Sequence, residues 1–267
     1  MRINKKSIVG LIQVVNAVVS VLILIYLAKK ITTEQFAIIA MYNIITGFYA
    51  SVTFFGNETQ LLRNTLRWEK TNRNRLYYIC TSAISARVLI SLTLIFPVGI
   101  YAYYIFEFHW QYDNKMIIPL FLLGGMSAAI LNGCGLIIKS FNNHLMYYTV
   151  TIVITLSGKI IGAFLISEQN FEIYLYCVIL AVVCAAVCAY YVIRNYVRFK
   201  YSSLKIKKTF RRNKFFIASG HINYYKLNVD QIVFSILIDA SLLATYNLVR
   251  KLEETLRGLI AVALEPG

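Results

Sequence analysis

An all-α bundle that crosses a membrane about eight times is the fold class the sequence predicts, on three observations. Apolar residues fill 58% of the 267 positions and charged residues only 15%, a composition too apolar for an ordinary soluble domain. The apolar residues fall into blocks close to the ~20 residues that carry a helix across a hydrocarbon core. The basic excess, a formal net charge of +15, is concentrated in the connections between blocks, as the orientation rule for membrane proteins requires.

The first block, Ile8 to Ala28, has no small-residue cleavage pattern and is followed at once by Lys29 and Lys30. It reads as a retained anchor, not a signal peptide. Phe36 to Gly56 follows after a seven-residue loop, and then a basic connection, NETQLLRNTLRWEKTNRNR, with Arg63, Arg67, Lys70, Arg73 and Arg75. The third block, Leu76 to Phe106, is too long for one straight crossing at ~1.5 Å per residue, so it tilts or begins as a surface helix. Pro97 is a kink point within it. Arg87 has two readings. If the span starts at Val88 the guanidinium snorkels to the headgroups, which is the preferred reading; otherwise it faces a cavity. The loop EFHWQYDNKM supplies the interfacial aromatics Trp110 and Tyr112, and its His109 reads as a solvated loop residue.

Ile117 to Ile138 carries GGMSAAILNGCG, small residues that let helices approach closely. Leu145 to Ile166 holds Lys159 about seven residues, or ~10 Å, from one end, near the limit of snorkelling; a cavity role and a snorkelling role stand equally for it. The sixth block, Ile173 to Ile193, is free of charge. Beyond it RNYVRFKYSSLKIKKTFRRNK has nine Lys or Arg and no acid in twenty-one residues, which between two spans is an orientation signal before it is a phosphate site. Cys80, Cys134, Cys177, Cys184 and Cys188 all sit in apolar blocks. No His or carboxylate joins them, so no metal site is expected.

Threading the blocks with the N-terminus inside puts eighteen Lys or Arg on the inner side: three at the N-terminus, five in the second connection, Lys139, and nine in the sixth. Only Lys29, Lys30 and Lys115 fall outside. The chain is therefore expected to cross its membrane with a cytoplasmic N-terminus.

The stretch from Lys214 to Arg257 is long enough to cross and return, yet it holds Lys226 and Asp230 one helical turn apart and then Arg250, Glu253, Glu254 and Arg257 on one stripe. Each such group costs ~2.5 to 3.5 kcal/mol at mid-membrane. The segment is therefore expected to line a wet, charged cavity. Asp230 is either a coupling carboxylate or half of a static pair with Lys226, and the stripe residues either serve a cavity or neutralise one another on a helix lying at the interface. A shift of 207 residues lays Asn16 on Asn223 and Phe36-Ala37 on Leu243-Ala244. This weak repeat suggests a six-helix lobe over 1–213 and the first hairpin of a second lobe over 214–267.

The layout, with FGNETQLLRN after the second span and NYYKLNVDQIVFSILIDASLLATYNLVRKLEE near the end, resembles the polysaccharide transporters of the multidrug/oligosaccharidyl-lipid/polysaccharide export superfamily. It looks closest to the Wzx-type O-antigen flippases, in which a buried Asp in the seventh span is followed by a Tyr in the next, as Asp230 and Tyr246 would be. The turn TTEQFAII is similar to that family's Glu-Glu-Tyr-Gly turn, with Ala37 where Gly is usual. Relatives have twelve or more spans, so the resemblance implies that this chain is a truncated form or half of an assembly.

The resemblance implies a flippase for an undecaprenyl-diphosphate-linked oligosaccharide that works by alternating access. Lys159, Lys226, Arg250, Arg257 and Arg87 are then candidate cations for the diphosphate, Asn16 and Asn223 candidate sugar contacts, and Asp230 and Glu254 candidate ion-coupling groups driven by a proton or Na+ gradient. No cofactor is implied, and the implied partners are membrane lipids, a polysaccharide polymerase and a chain-length regulator. A drug or cation antiporter of the same superfamily is the alternative, expected to have an acidic cavity instead of a basic one. A membrane-embedded polymerase is disfavoured because every outer loop is short, and no phosphate loop or catalytic constellation marks an enzyme. Nucleic acid is an unsuitable partner because the basic residues lie between spans and not on a folded domain.

Overall fold

The computed structural model describes residues 5–53, 65–112, 114–141, 143–197 and 229–264, with the isolated positions 211, 214, 215, 218 and 222. Among them there is no strand. The long helices are α1 (Lys5–Lys30), α2 (Thr33–Val52), α3 (Arg73–Tyr104), α4 (Ile117–Ser140), α5, α6 (Glu172–Ile193), α7 (229–237) and α8 (Ala240–Leu264). Helix α5 is built from His144–Tyr148, a π-helical turn over Thr149–Val153, and Ile154–Leu165.

Six helical stretches among the described residues are long and apolar enough to cross a membrane: Gly10–Lys30, Thr33–Val52, Arg73–His109, Ile117–Ser140, Leu145–Leu165 and Glu172–Tyr196. They coincide with the first six apolar blocks of the sequence. Helix α8 has the length but carries Arg250, Lys251, Glu253, Glu254 and Arg257, and it is not among the six.

Local chemistry sets where these helices begin and end. Thr32 caps α2 in a capping box: its hydroxyl accepts from Gln35 N while the Gln35 side chain accepts from Thr32 N, both at 3.2 Å. Asn72 caps α3 by accepting from Arg75 N at 3.0 Å. Helix α3 continues through Pro97, and its irregularity falls later, in a π-helical turn over Ile105–His109 that stops at Gln111, where φ is 50°. Its 32 residues measure ~48 Å, well beyond a ~30 Å core. The first turn accordingly leaves Arg73, Asn74 and Arg75 exposed, with Arg75 stacked 4.7 Å over Trp68.

Helix α4 is the centre of the bundle, packing on α2, α3 and α6, while α6 packs in turn on α5. Its small residues do what the sequence suggested: Gly124, Gly125, Gly133, Cys134 and Gly135 are all buried. Helix α1 contacts α5, where the Gln13 side-chain amide donates to the Tyr148 hydroxyl at 2.6 Å. On α5, Gly158 and Gly162 form a G-x-x-x-G face against α6. A Cβ at Gly158 would fall on the Ala181 methyl and lie 2.8 Å from the Cys177 carbonyl oxygen.

Two apolar clusters result. One gathers Leu27, Phe36, Phe106, Phe121, Phe171 and Leu175 near the α1–α2 turn, and the other gathers Trp68, Leu76, Ile84, Leu131, Ile138 and Ile193 toward the opposite end. Arg87 lies between them at 1% exposure. One of its terminal nitrogens, Nη1, donates to Thr53 Oγ1 and Ala129 O at 3.1 Å each and to Ala50 O at 3.4 Å. This corrects the snorkelling expectation. Arg87 is a tie between α2, α3 and α4, because a guanidinium can spread several donors over helix carbonyls that a longer path to the headgroups would forgo. His109 is also not a free loop residue: its Nε2 lies 3.0 Å from the Ile238 carbonyl.

At the α1–α2 end, Glu172 gathers the connection between α3 and α4, accepting from Tyr112 at 2.8 Å and Asn114 at 2.6 Å. Burial, and then this carboxylate, push the Tyr112 phenol well above its ordinary range.

Candidate functional site

Helices α7 and α8 form a hairpin whose turn falls at Ile238 and Asp239, with Leu243 N closing the first turn of α8 on Asp239 O. A turn at that point puts residues whose numbers sum to about 477 opposite one another. Asp230 therefore meets Tyr246 and Arg250, and Gln231 meets Asn247. The spacing from the turn is about eight residues, or ~13 Å, which is close to half the thickness of a ~30 Å core.

The hairpin lies against the six-helix bundle. Helix α8 packs on α2 and α1, burying Leu243, Ala244 and Asn247. Helix α7 is tied to α3 by a hydrogen bond between the hydroxyls of Tyr101 and Ser235. Beside that bond is an apolar cavity of about 270 Å³ between Ile44, Phe48, Pro97, Tyr101 and Ile232. One further polar contact is fully internal to the hairpin: the Gln231 amide donates to Asn247 Oδ1 at 3.0 Å, and Asn247 Nδ2 donates to Leu243 O at 3.0 Å.

The charged residues form a connected network next to this buried pair. Arg250 Nη1 donates to both oxygens of Asp230, at 2.6 and 2.5 Å, and the Tyr246 hydroxyl donates to Asp230 Oδ2. Arg250 Nε donates to Glu254 Oε1 at 3.2 Å, and Lys251 Nζ donates to Glu254 Oε2 at 2.6 Å. One turn on, Arg257 pairs with Glu253 at 2.5 Å. Tyr246, Arg250 and Glu254 follow at i, i+4, i+8, so one edge of α8 presents all three toward α7. The Asp230 side chain is 39% exposed and that of Arg250 only 12%. The carboxylate therefore opens outward while the guanidinium that holds it is packed.

Asp230 thus gives its carboxylate to Arg250 and Tyr246 on the neighbouring helix. Lys226, the partner considered from sequence, lies outside the described residues, as do Asn223 and most of the basic sixth connection. The mutual neutralisation expected for Arg250, Glu253, Glu254 and Arg257 is present as two pairs. Lys251, which lies off the centre of that stripe, belongs to the network through Glu254; its i+3 spacing to an acid was the signal available in the sequence.

Lys159 projects from α5 one residue past Gly158, about 100° round the helix from the face packed on α6. It is half-buried. Asn16 is half-buried on α1, the helix that packs on both α5 and α8. Asp230, Arg250 and, through Glu254, Lys251 are thus brought together by α7 and α8. Arg87 stands apart from them, enclosed by α2, α3 and α4. No group of three or more His, Cys, Asp or Glu among the described residues has the geometry to hold a metal ion.

A sequence model described as polysaccharide biosynthesis protein matches residues 4–265, almost the entire chain. The chain belongs to the polysaccharide biosynthesis protein family. With six helices fit to cross a membrane, this polysaccharide biosynthesis protein is a multi-pass membrane protein. No curated protein and no solved structure matches it.

Proposed function

We propose that this polysaccharide biosynthesis protein exports a lipid-linked oligosaccharide, carrying an undecaprenyl-diphosphate-linked repeat unit from the inner to the outer face of a bacterial cytoplasmic membrane by alternating access. The observation that carries the reading is the depth of the open charged groups. The Asp230, Lys251 and Glu254 side chains are 39%, 39% and 44% exposed, on helices that run beside two crossing helices, and Asp230 lies ~13 Å below its turn. Hydrocarbon does not tolerate such groups, so this face of the hairpin meets water or a polar cargo.

A glycolipid diphosphate is the cargo that matches both halves of that surface. Its two phosphates take charge-assisted bonds from Lys159, Arg250 and Arg257, with Lys226 joining on the sequence reading. Its sugars take bonds from Asn16, Asn223 and tyrosine hydroxyls, and its polyprenyl tail stays in the bilayer. Asp230 is the coupling group: it binds a proton or Na+ when Arg250 releases it, with Glu254 as the competing carboxylate. The orientation is N-terminus cytoplasmic, and a polymerase and a chain-length regulator act on the exported unit. No catalytic step and no cofactor enter this scheme.

Transport is tested by reconstituting the purified chain into liposomes with a fluorescent undecaprenyl-diphosphate oligosaccharide and following the fraction cleaved by a glycosidase added outside. Movement faster than in empty liposomes, accelerated by an imposed proton or Na+ gradient, is the expected result. Rates equal to those of empty liposomes overturn the export reading.

A further inference from the structure

Helix α7 presents two different faces. Asp230 meets Tyr246 and Arg250 of α8, whereas Ile232, two residues on and so ~200° round the helix, lines the apolar cavity of about 270 Å³ that α7 shares with α2 and α3. Ile44 and Phe48 form its α2 wall, and Leu94, Pro97 and Tyr101 its α3 wall. The single polar side-chain atom of the lining is the Tyr101 hydroxyl, and it is bonded to Ser235. The cavity therefore offers water no partner.

Its depth and its mouth identify what enters. Ile44 lies ~17 Å along α2 from Thr33, and Pro97 ~18 Å along α3 from the end of the π-helical turn at His109. Both distances are close to half of a ~30 Å core, so the cavity sits at the bilayer midplane. Pro97 is exposed, and beside it Phe96 and Ile100 are 78% and 69% exposed. At that depth such side chains face hydrocarbon, so the mouth opens on lipid.

Lipid tails are as apolar as the lining, so a chain enters because an empty void forfeits dispersion contacts, not to escape water. An apolar cavity of about 150 Å³ takes one benzene, so this one has room for about ten carbons, or about two isoprene units. A phospholipid acyl chain, tethered a leaflet of ~15 Å away, brings only its end to the midplane. A polyprenyl chain several times longer than a leaflet is deep has interior segments there, whichever face holds its headgroup.

We propose that the cavity between α2, α3 and α7 is a binding site for the polyprenyl tail of a glycolipid, holding about two isoprene units at the midplane. The proposal rests on the export reading and goes beyond it by giving the tail a seat on the protein. Tail and charged network then grip opposite faces of one helix, α7.

The test uses the full chain in phosphatidylcholine nanodiscs. One sample contains undecaprenyl phosphate with a photoreactive diazirine midway along the chain, and the other contains phosphatidylcholine with a diazirine at the end of an acyl chain. After irradiation, residue-resolved mass spectrometry is expected to place the polyprenyl adducts on Phe48 and Ile232, and the phospholipid adducts on outward residues such as Phe96 and Phe164. Excess unlabelled undecaprenyl phosphate is expected to displace the cavity adducts only. Ile44→Phe and Ile232→Phe fill the cavity and are each expected to lower the polyprenyl yield there about tenfold, while Ile100→Phe, on the outward face, leaves it unchanged. Elution as a single species checks that each variant is folded, and the displacement is measured on the wild-type chain, so it decides the matter even where a filled variant fails to fold. Polyprenyl adducts spread evenly over outward residues, equal labelling of the cavity by the acyl probe, no displacement, or an undiminished yield in the folded filled variants overturns the site. Cavity labelling without glycolipid movement in liposomes would sink the export reading and leave the site standing. Glycolipid movement with no cavity adducts would do the reverse.

Discussion

Replacing Arg87 by Lys is expected to harm this protein more than replacing it by Met. The guanidinium is 1% exposed and one nitrogen reaches three oxygens on α2 and α4. Bonds from a charged donor contribute about 1.5 to 3 kcal/mol each, set against a desolvation cost of several kcal/mol for the buried ion. Methionine removes both sides of that balance. The oxygens left behind keep other partners, since the Thr53 hydroxyl still donates to Tyr49 O at 2.6 Å and Ala129 lies inside α4. The net loss for Arg87→Met is therefore about 0 to 2 kcal/mol. Lysine keeps the charge on a stem whose nitrogen falls short of the three oxygens, so an under-bonded buried ion remains, at about 3 to 5 kcal/mol. Thermal unfolding in detergent, read from the fluorescence of Trp68 and Trp110, distinguishes the two, with Lys melting about 5 to 10 °C below Met. A lysine variant as stable as wild type, or more stable than the methionine variant, would refute the view of Arg87 as an interhelical tie.

Asp230→Asn should abolish the response of glycolipid movement to an ion gradient in liposomes while the chain still elutes as a single species, and Tyr246→Phe should weaken that response partially; an intact gradient response in Asp230→Asn removes Asp230 from coupling. Gly158→Ala should lower the melting temperature because the new methyl meets Ala181 and the Cys177 carbonyl, a strain of about 1 to 3 kcal/mol against a helix-propensity gain of up to about 1 kcal/mol. The same change at Gly47, where a Cβ meets nothing within 4 Å, should raise it by the propensity gain alone. Equal shifts at both glycines would mean that α5 and α6 are not in close contact. Gln231→Leu should cost about 1 to 3 kcal/mol by leaving the buried Asn247 oxygen without its donor. The double variant Gln231→Leu with Asn247→Leu should recover most of that loss, and a strictly additive double variant argues against the pairing.

The six crossings were legible in the sequence because span length and hydropathy add along the chain: a stretch such as Ile117 to Ile138 meets the bilayer's thickness whatever its neighbours do. The hairpin and its charged residues were legible for the same reason, since Asp230 and Arg250 stand out against an apolar background. Which groups meet was decided only in three dimensions. Each residue turns a helix by about 100°, so the direction of Arg87 depends on how α3 is rotated against α2 and α4. A small change in that rotation would send it toward the headgroups, as the sequence reading preferred. The partner of Asp230 likewise follows from the turn at Ile238 and Asp239, which sets Tyr246 and Arg250 across from it. The bond between Tyr101 and Ser235 needed the packing of α7 against α3. Positions more than ninety residues apart share a site only when helix rotation and packing bring them together, and neither is a sum over local composition.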